Sequence, residues 1–240
     1  MLDVMAAAEK LWTCNLGRLP WSQALGIQEQ LRAMRQDEAI ADTLLLLEHP
    51  PTVTLGRRAL PNEVPGGSER LASLGIAFAI TDRGGRATCH EPGQLVGYPI
   101  MRIADVHRFV RDIELSIIAA LAESGVSAGT REGLTGVWCE DRKIGSIGIH
   151  VQRGVTTHGF SINADNSLET FSHVTPCGLP DVEMTSVALE GGDGNTTRLR
   201  ERVAAAFAKQ AGLRPLPVSP DQLGIAAEPA RSESPDQVAA

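Results

Sequence analysis

The sequence predicts an α/β (α+β) fold in which helices pack on a mixed or antiparallel sheet. Three observations predict it. Short β-rich segments outnumber helical ones; the segments between Gly136 and Asn163 follow one another at hairpin spacing; and three stretches carry apolar residues at intervals of three and four.

The elements follow in order. From Ser22 to Arg35, Ala24, Ile27, Leu31 and Met34 mark one apolar face of a helix. "TLLLLEHPPTVTLG" reads as a buried strand, broken by Pro50-Pro51 and followed by a second short strand. "GIAFAI" and "QLVGYPI" are strands joined by the loop "DRGGRATCHEPGQ". From Asp105 to Glu123, Val106, Val110, Ile113, Ile117 and Leu121 define a second helix, with Asp105 as cap and Gly125 placed to stop it. "GVWCE", "KIGSIGIHV" and "GVTTHGFSIN" are strands, and Thr197 to Gln210 is a third helix with Leu199, Val203 and Phe207 inward. Residues 1–214 are expected to form a single domain. Pro215 to Ala240, rich in Pro, Ser, Ala and acidic residues, read as a tail that is poorly ordered or folds only loosely onto the domain.

A chain of 240 residues can bury a proper core, and its 42% hydrophobic content is ordinary for a globular protein. The net charge of −7 without a Lys/Arg cluster argues against nucleic acid as a partner. The apolar runs fall far short of the roughly 20 residues of a membrane span. The N-terminus lacks the basic region of a secretory signal and is not an Arg-rich transit peptide, so a cytoplasmic, reduced setting is expected for Cys14, Cys89, Cys139 and Cys177. No phosphate-binding loop, dinucleotide fingerprint or paired-cysteine zinc spacing is present, so neither cofactor nor metal is expected.

Cys177 sits between Pro176 and Gly178. The setting suits a thiolate nucleophile on a turn with backbone N–H groups nearby, although the flanks alone favour a buried, inert thiol. Lys143, at the head of an apolar strand, could point inward and take a proton from a thiol or stabilise its thiolate, or simply be solvated. His49, His90 and His158 could each orient a substrate or serve the structure, and His107 reads as surface. The loop from Asp82 to Gln94 is long for a strand connection and carries adjacent glycines, which favours a binding loop.

Taken together, "EHPPTVTLGRR", "RGGRATCHEPGQLVGYPI", "GVWCEDRKIGSIGIHVQRGVTTHGFSIN" and "PCGLPDVEMTS" resemble the octanoyltransferases of lipoate biosynthesis, over roughly residues 12 to 210. The resemblance implies the fold of the biotinyl/lipoyl protein ligases. It implies an acyltransferase that moves an octanoyl or lipoyl group from acyl carrier protein to a lysine of lipoyl domains, the first step of protein lipoylation by endogenous synthesis. It puts the acyl-accepting cysteine on Cys177 and its partner lysine on Lys143. Substrate contacts fall on Arg83, Gly84, Gly85, Arg86, Ala87, Thr88, Cys89 and His90, on Ser146, Ile147 and Gly148, and on Gly159, Phe160 and Ser161, with His49 and His158 as supporting residues. The implied partners are octanoyl-acyl carrier protein, whose phosphopantetheine brings the thioester, and the lipoyl domains of 2-oxoacid dehydrogenase complexes and the glycine cleavage H protein. The implied state is a monomer.

One departure from the family pattern stands out. Glu91 occupies the place of the glycine in the usual His-Gly-Pro-Gly-Gln and adds a charge beside the loop, and Cys89 adds a second thiol close to the site, open to oxidation. Two other readings stay open: an ATP-dependent lipoate ligase of the same fold, which needs no cysteine, and a non-catalytic acyl-binding or carrier-docking protein.

Overall fold

A computed structural model describes residues 10–175 and 182–225. The strands are β1 (Lys10–Arg18), β2 (Thr43–Glu48), β3 (Thr52–Leu55), β4 (Ala77–Ile80), β5 (Ala87–His90), β6 (Gln94–Ile100), β7 (Gly129–Arg131), β8 (Leu134–Cys139), β9 (Arg142–Gln152), β10 (Val155–Asn163) and β11 (Arg214–Pro217). The helices are α1 (Trp21–Gln36), α2 (Gly67–Ser73), α3 (Val106–Glu123) and α4 (Thr196–Gln210). Among the described residues, eight strands form one sheet in the order β11-β1-β2-β6-β10-β9-β8-β7, and three form a smaller sheet, β4-β3-β5. The large sheet is mixed: β11, β1 and β2 run parallel, and the rest pair antiparallel.

The run "TLLLL" lacks alternation because both faces of β2 are covered. Leu44 and Leu46 join a core with Ile113, Ile117 and Leu121 of α3 and Leu199, Val203 and Phe207 of α4. Leu45 and Leu47 face a second core with Ala24, Ile27 and Leu31 of α1. Asp105 caps α3, its carboxylate accepting from the N–H groups of His107 and Arg108. Val106, expected on the inward face, is instead 43% exposed, in the first turn of the helix.

Past the expected boundary at Pro215 the chain still packs on the domain as far as Ile225. Arg214 to Pro217 pair in parallel with Lys10 to Thr13, and Leu223 and Ile225 are buried against the α1 side of the sheet. The side chains of β11 are exposed, so composition looks tail-like although the backbone is paired. Residues 226–240 of the expected tail lie outside the described residues. No described helix is long and apolar enough to cross a membrane.

Candidate active site

A cleft of about 570 Å³ opens between the loop before β5, the strands β9 and β10, the β7–β8 turn and the first turns of α3. That volume lies in the usual range for small-ligand sites. Trp21, Leu134, Ile147, Ile149 and Phe160 give it apolar walls. The sequence-predicted residues Arg83, Gly84, Gly85, Arg86, Ala87, Thr88, His90, Ser146, Ile147, Gly148, His158, Gly159, Phe160 and Ser161 all line it, as does Lys143.

Close backbone approach explains the glycines. A Cβ on Gly148 would stand 2.6 Å from the Gly84 carbonyl oxygen, so only glycine lets the loop lie directly on β9. The Gly84 N–H then donates to the Ile149 carbonyl at 2.9 Å, and Gly85 turns the chain at φ +91°. Arg83 reaches under the loop: its Nε and Nη2 donate to Thr54 Oγ1, and Nη2 also to the Thr54 carbonyl at 2.7 Å. Arg86 pairs with Glu63 at 2.6 Å, whose other carboxylate oxygen accepts from the Ala87 N–H.

Lys143 is 4% exposed. It stands directly opposite Trp138 on β8, with Nζ 5.2 Å from the indole centroid, and donates to the Thr135 carbonyl at 3.1 Å. Gly136, at φ +130°, makes room for it: a Cβ there would meet Lys143 Cε at 2.6 Å. The Lys143 backbone is also paired on its other edge. Its N–H donates to the Glu183 carbonyl at 2.8 Å, and its carbonyl accepts from the Thr185 N–H at 3.0 Å. Cys177 lies outside the described residues. The chain before it is fixed where the Thr175 N–H donates to the Glu63 carbonyl, and the chain after it where Glu183 and Thr185 join Lys143.

The histidines divide. His49 is fully buried behind the cleft and does not line it. The Leu19 carbonyl can only accept, so Nδ1 carries the proton and Nε2 accepts from the Tyr98 hydroxyl, both at 2.7 Å. Burial lowers its pKa to about 4, and burial together with the neighbouring His49 lowers that of His90 to about 3. His90 Nδ1 donates to Gln94 Oε1, because Gln94 Nε2 is already donating to the Cys89 carbonyl and Asn163 Oδ1. His158 lines the cleft at φ +57°, stacked on Trp21, with Nε2 2.7 Å from Asp82 Oδ1. Burial lowers its pKa against the pull of Asp82. His107, exposed as expected, also lines the cleft mouth.

Two expectations are corrected. Cys89 is fully buried away from the cleft, donates to the Thr170 carbonyl, and has its thiol pKa pushed well up by burial, so it is no exposed oxidation hazard. Glu91 does not project beside the loop; it is buried, holding the chain around Leu168. Trp138, Trp21 and Asp82 were missed as site residues. The pairing of "GVWCE" with "KIGSI" as a hairpin was the signal that could have placed Trp138 beside Lys143.

Residues 20–208 match the lipoyl protein ligase A/B catalytic domain family. An octanoyltransferase of Solibacter usitatus is 45% identical over 199 residues, covering 81% of this chain and 90% of that protein. An octanoyltransferase of Chloroflexus aurantiacus is 43% identical over 208 residues, covering 83% and 93%. Among solved structures, a lipoate-protein ligase A bound with ATP superposes with a TM-score of 0.72 at 16% identity, over 90% of this chain and 92% of that one. A putative lipoate protein ligase from Thermoplasma acidophilum with bound lipoic acid gives 0.72 at 15% identity, over 89% and 92%; these two establish the fold. The chain belongs to the lipoyl protein ligase A/B catalytic-domain family and, within it, to the octanoyltransferases.

Proposed function

We propose that this acyltransferase moves an octanoyl group from acyl carrier protein to a lysine of lipoyl domains, through a thioester on Cys177 with Lys143 as the proton-transfer partner. Supporting this reading is one observation above the others. The backbone of Lys143, an amine in the cleft wall, is hydrogen-bonded to Glu183 and Thr185, a short way along the chain from Cys177.

The Cys177 proton passes to the Lys143 amine, and the thiolate attacks the octanoyl thioester carbonyl. The tetrahedral intermediate expels the phosphopantetheine thiolate, which takes the proton back from the Lys143 ammonium. The acceptor lysine then attacks acyl-Cys177, an amide forms, Cys177 leaves as thiolate, and Lys143 passes the proton lost by the amine to that thiolate. The Gly84 N–H is committed to Ile149, so the oxyanion donors in this reading are backbone N–H groups near Cys177 or others of the loop that follows Arg83. Both half-reactions exchange one acyl bond for another, so neither ATP nor a cofactor is required. The apolar walls set chain length, at about 0.8 kcal/mol per methylene buried. The acceptors are the lipoyl domains of 2-oxoacid dehydrogenase complexes and the glycine cleavage H protein, and the enzyme acts as a cytoplasmic monomer.

Intact-mass measurement after mixing with octanoyl-acyl carrier protein tests the reading. One octanoyl group should appear on Cys177 without ATP and be absent in Cys177→Ala, and Lys143→Met should slow its appearance at least about a hundredfold. Full transfer activity in Cys177→Ala would overturn it.

A further inference from the structure

We propose that Glu91 is a positioning residue for the thiol-bearing segment, an inference that rests on the Cys177 reading above. Glu91 is only 4% exposed, and among the described residues no cation pairs with it. Its carboxylate is spent on one stretch of chain far off in sequence. Oε1 accepts from the Leu168 N–H at 2.6 Å and from Asn166 Nδ2 at 2.8 Å, and Oε2 accepts from the Thr170 N–H at 3.0 Å.

These donors open the 3₁₀ turn Glu169–His173, whose first backbone N–H groups have no partner within the turn. Leu168, at the entry, is in the left-handed region at φ +65°, a conformation a non-glycine residue keeps only when its surroundings hold it. The Cys89 thiol, two residues before Glu91, donates to the Thr170 carbonyl, so β5 and the residue after it hold both the N–H and the carbonyl of Thr170. Phe171 and Val174 then pack with Val53, Val64, Leu71 and Cys89. The next fixed point is Thr175, bonded to Glu63, whose own carboxylate holds Arg86 and Ala87 of the cleft loop. Cys177 follows two positions on. Glu91 therefore sets where the chain stands at Thr175, the last described residue before Cys177, although it does not itself line the cleft.

A carboxylate suits the task because it accepts at both oxygens. Glutamine at this place would turn an amide N–H₂ toward one of the three donors. The full-length enzyme tests this with Glu91→Gln and Glu91→Gly, using single-turnover acylation by octanoyl-acyl carrier protein followed by intact mass across donor concentrations. Misplacement of the thiol predicts a maximal acylation rate lower by about ten- to a hundredfold, with Gln less severe than Gly. The donor concentration for half-saturation should stay within about twofold, because the cleft walls are untouched. Hydrogen exchange of the Leu168 and Thr170 amides should quicken in the same variants. A maximal rate equal to the parent's in both variants overturns the inference. So does a loss in rate that comes only with general unfolding by circular dichroism. The parent and Cys177→Ala run alongside: if the parent never carries octanoyl on Cys177, the nucleophile reading fails, whereas acylated parent with unimpaired Glu91 variants removes only this inference.

Discussion

Mild acid should destabilise this protein well above the range in which its carboxylates titrate, because it folds around two neutral histidines. His49 and His90 lie edge to face, 5.3 Å between ring centroids, and both are buried. Burial holds their folded pKa values at about 4 and about 3, against 6.5 for a free side chain. Between those values the unfolded chain binds protons that the folded one refuses, so stability is complete above about pH 6.5 and falls as pH drops toward 4. At pH 5 each ring, unfolded, gains about 2 kcal/mol from protonation and the folded form gains almost nothing, so the pair costs about 4 kcal/mol. His158, also lowered by burial, acts in the same direction. With m-values of about 1–3 kcal/mol/M, the urea midpoint should fall by roughly 1.3–4 M between pH 7.5 and pH 5. Urea titrations at fixed ionic strength and in reductant measure this. His49→Gln and His90→Gln, whatever their absolute stability, should each flatten the pH slope by about half. A parent midpoint unchanged between the two pH values would refute the argument.

Two further outcomes follow from the packing. Gly136→Ala forces a Cβ against Lys143 Cε and strains φ +130°, so octanoyl transfer should fall by at least about tenfold in steady-state assays. Leu223→Ala removes a fully buried side chain from the α1-side core and should cost about 2–5 kcal/mol by chemical denaturation; a loss below about 0.5 kcal/mol, within the scatter of surface substitutions, would return that segment to the surface.

The sequence made some of this legible and hid the rest for physical reasons. Helices α1, α3 and α4 showed themselves because each packs one apolar stripe on the sheet, and the β8–β10 meander did so through its turns. Strand β1 went unread: its ladder to β2 shifts register between Asn15 and Gly17, which breaks the alternation that marks a strand. Short α2 buries little beyond Leu71, and β11 is held by backbone pairing while its side chains are exposed. Of the cleft, Lys143 and the loop from Arg83 were recoverable because motif fragments carry them. Cys89 and Glu91 were not placed correctly, because the side of a strand or loop on which a residue falls depends on pairings distant in sequence.

The ladder between β8 and β9 shifts register between Val137 and Trp138, so that Val137 faces Gly145 while Trp138 faces Lys143. One surplus residue therefore decides which way the amine looks. Losing or gaining a single residue in the tight corner at Glu140 and Asp141 would rotate Lys143 to the opposite side of the sheet and bring a neighbour of different chemistry into the cleft. Length variation at that corner should be among the least tolerated changes in the molecule, even though its side chains lie in water.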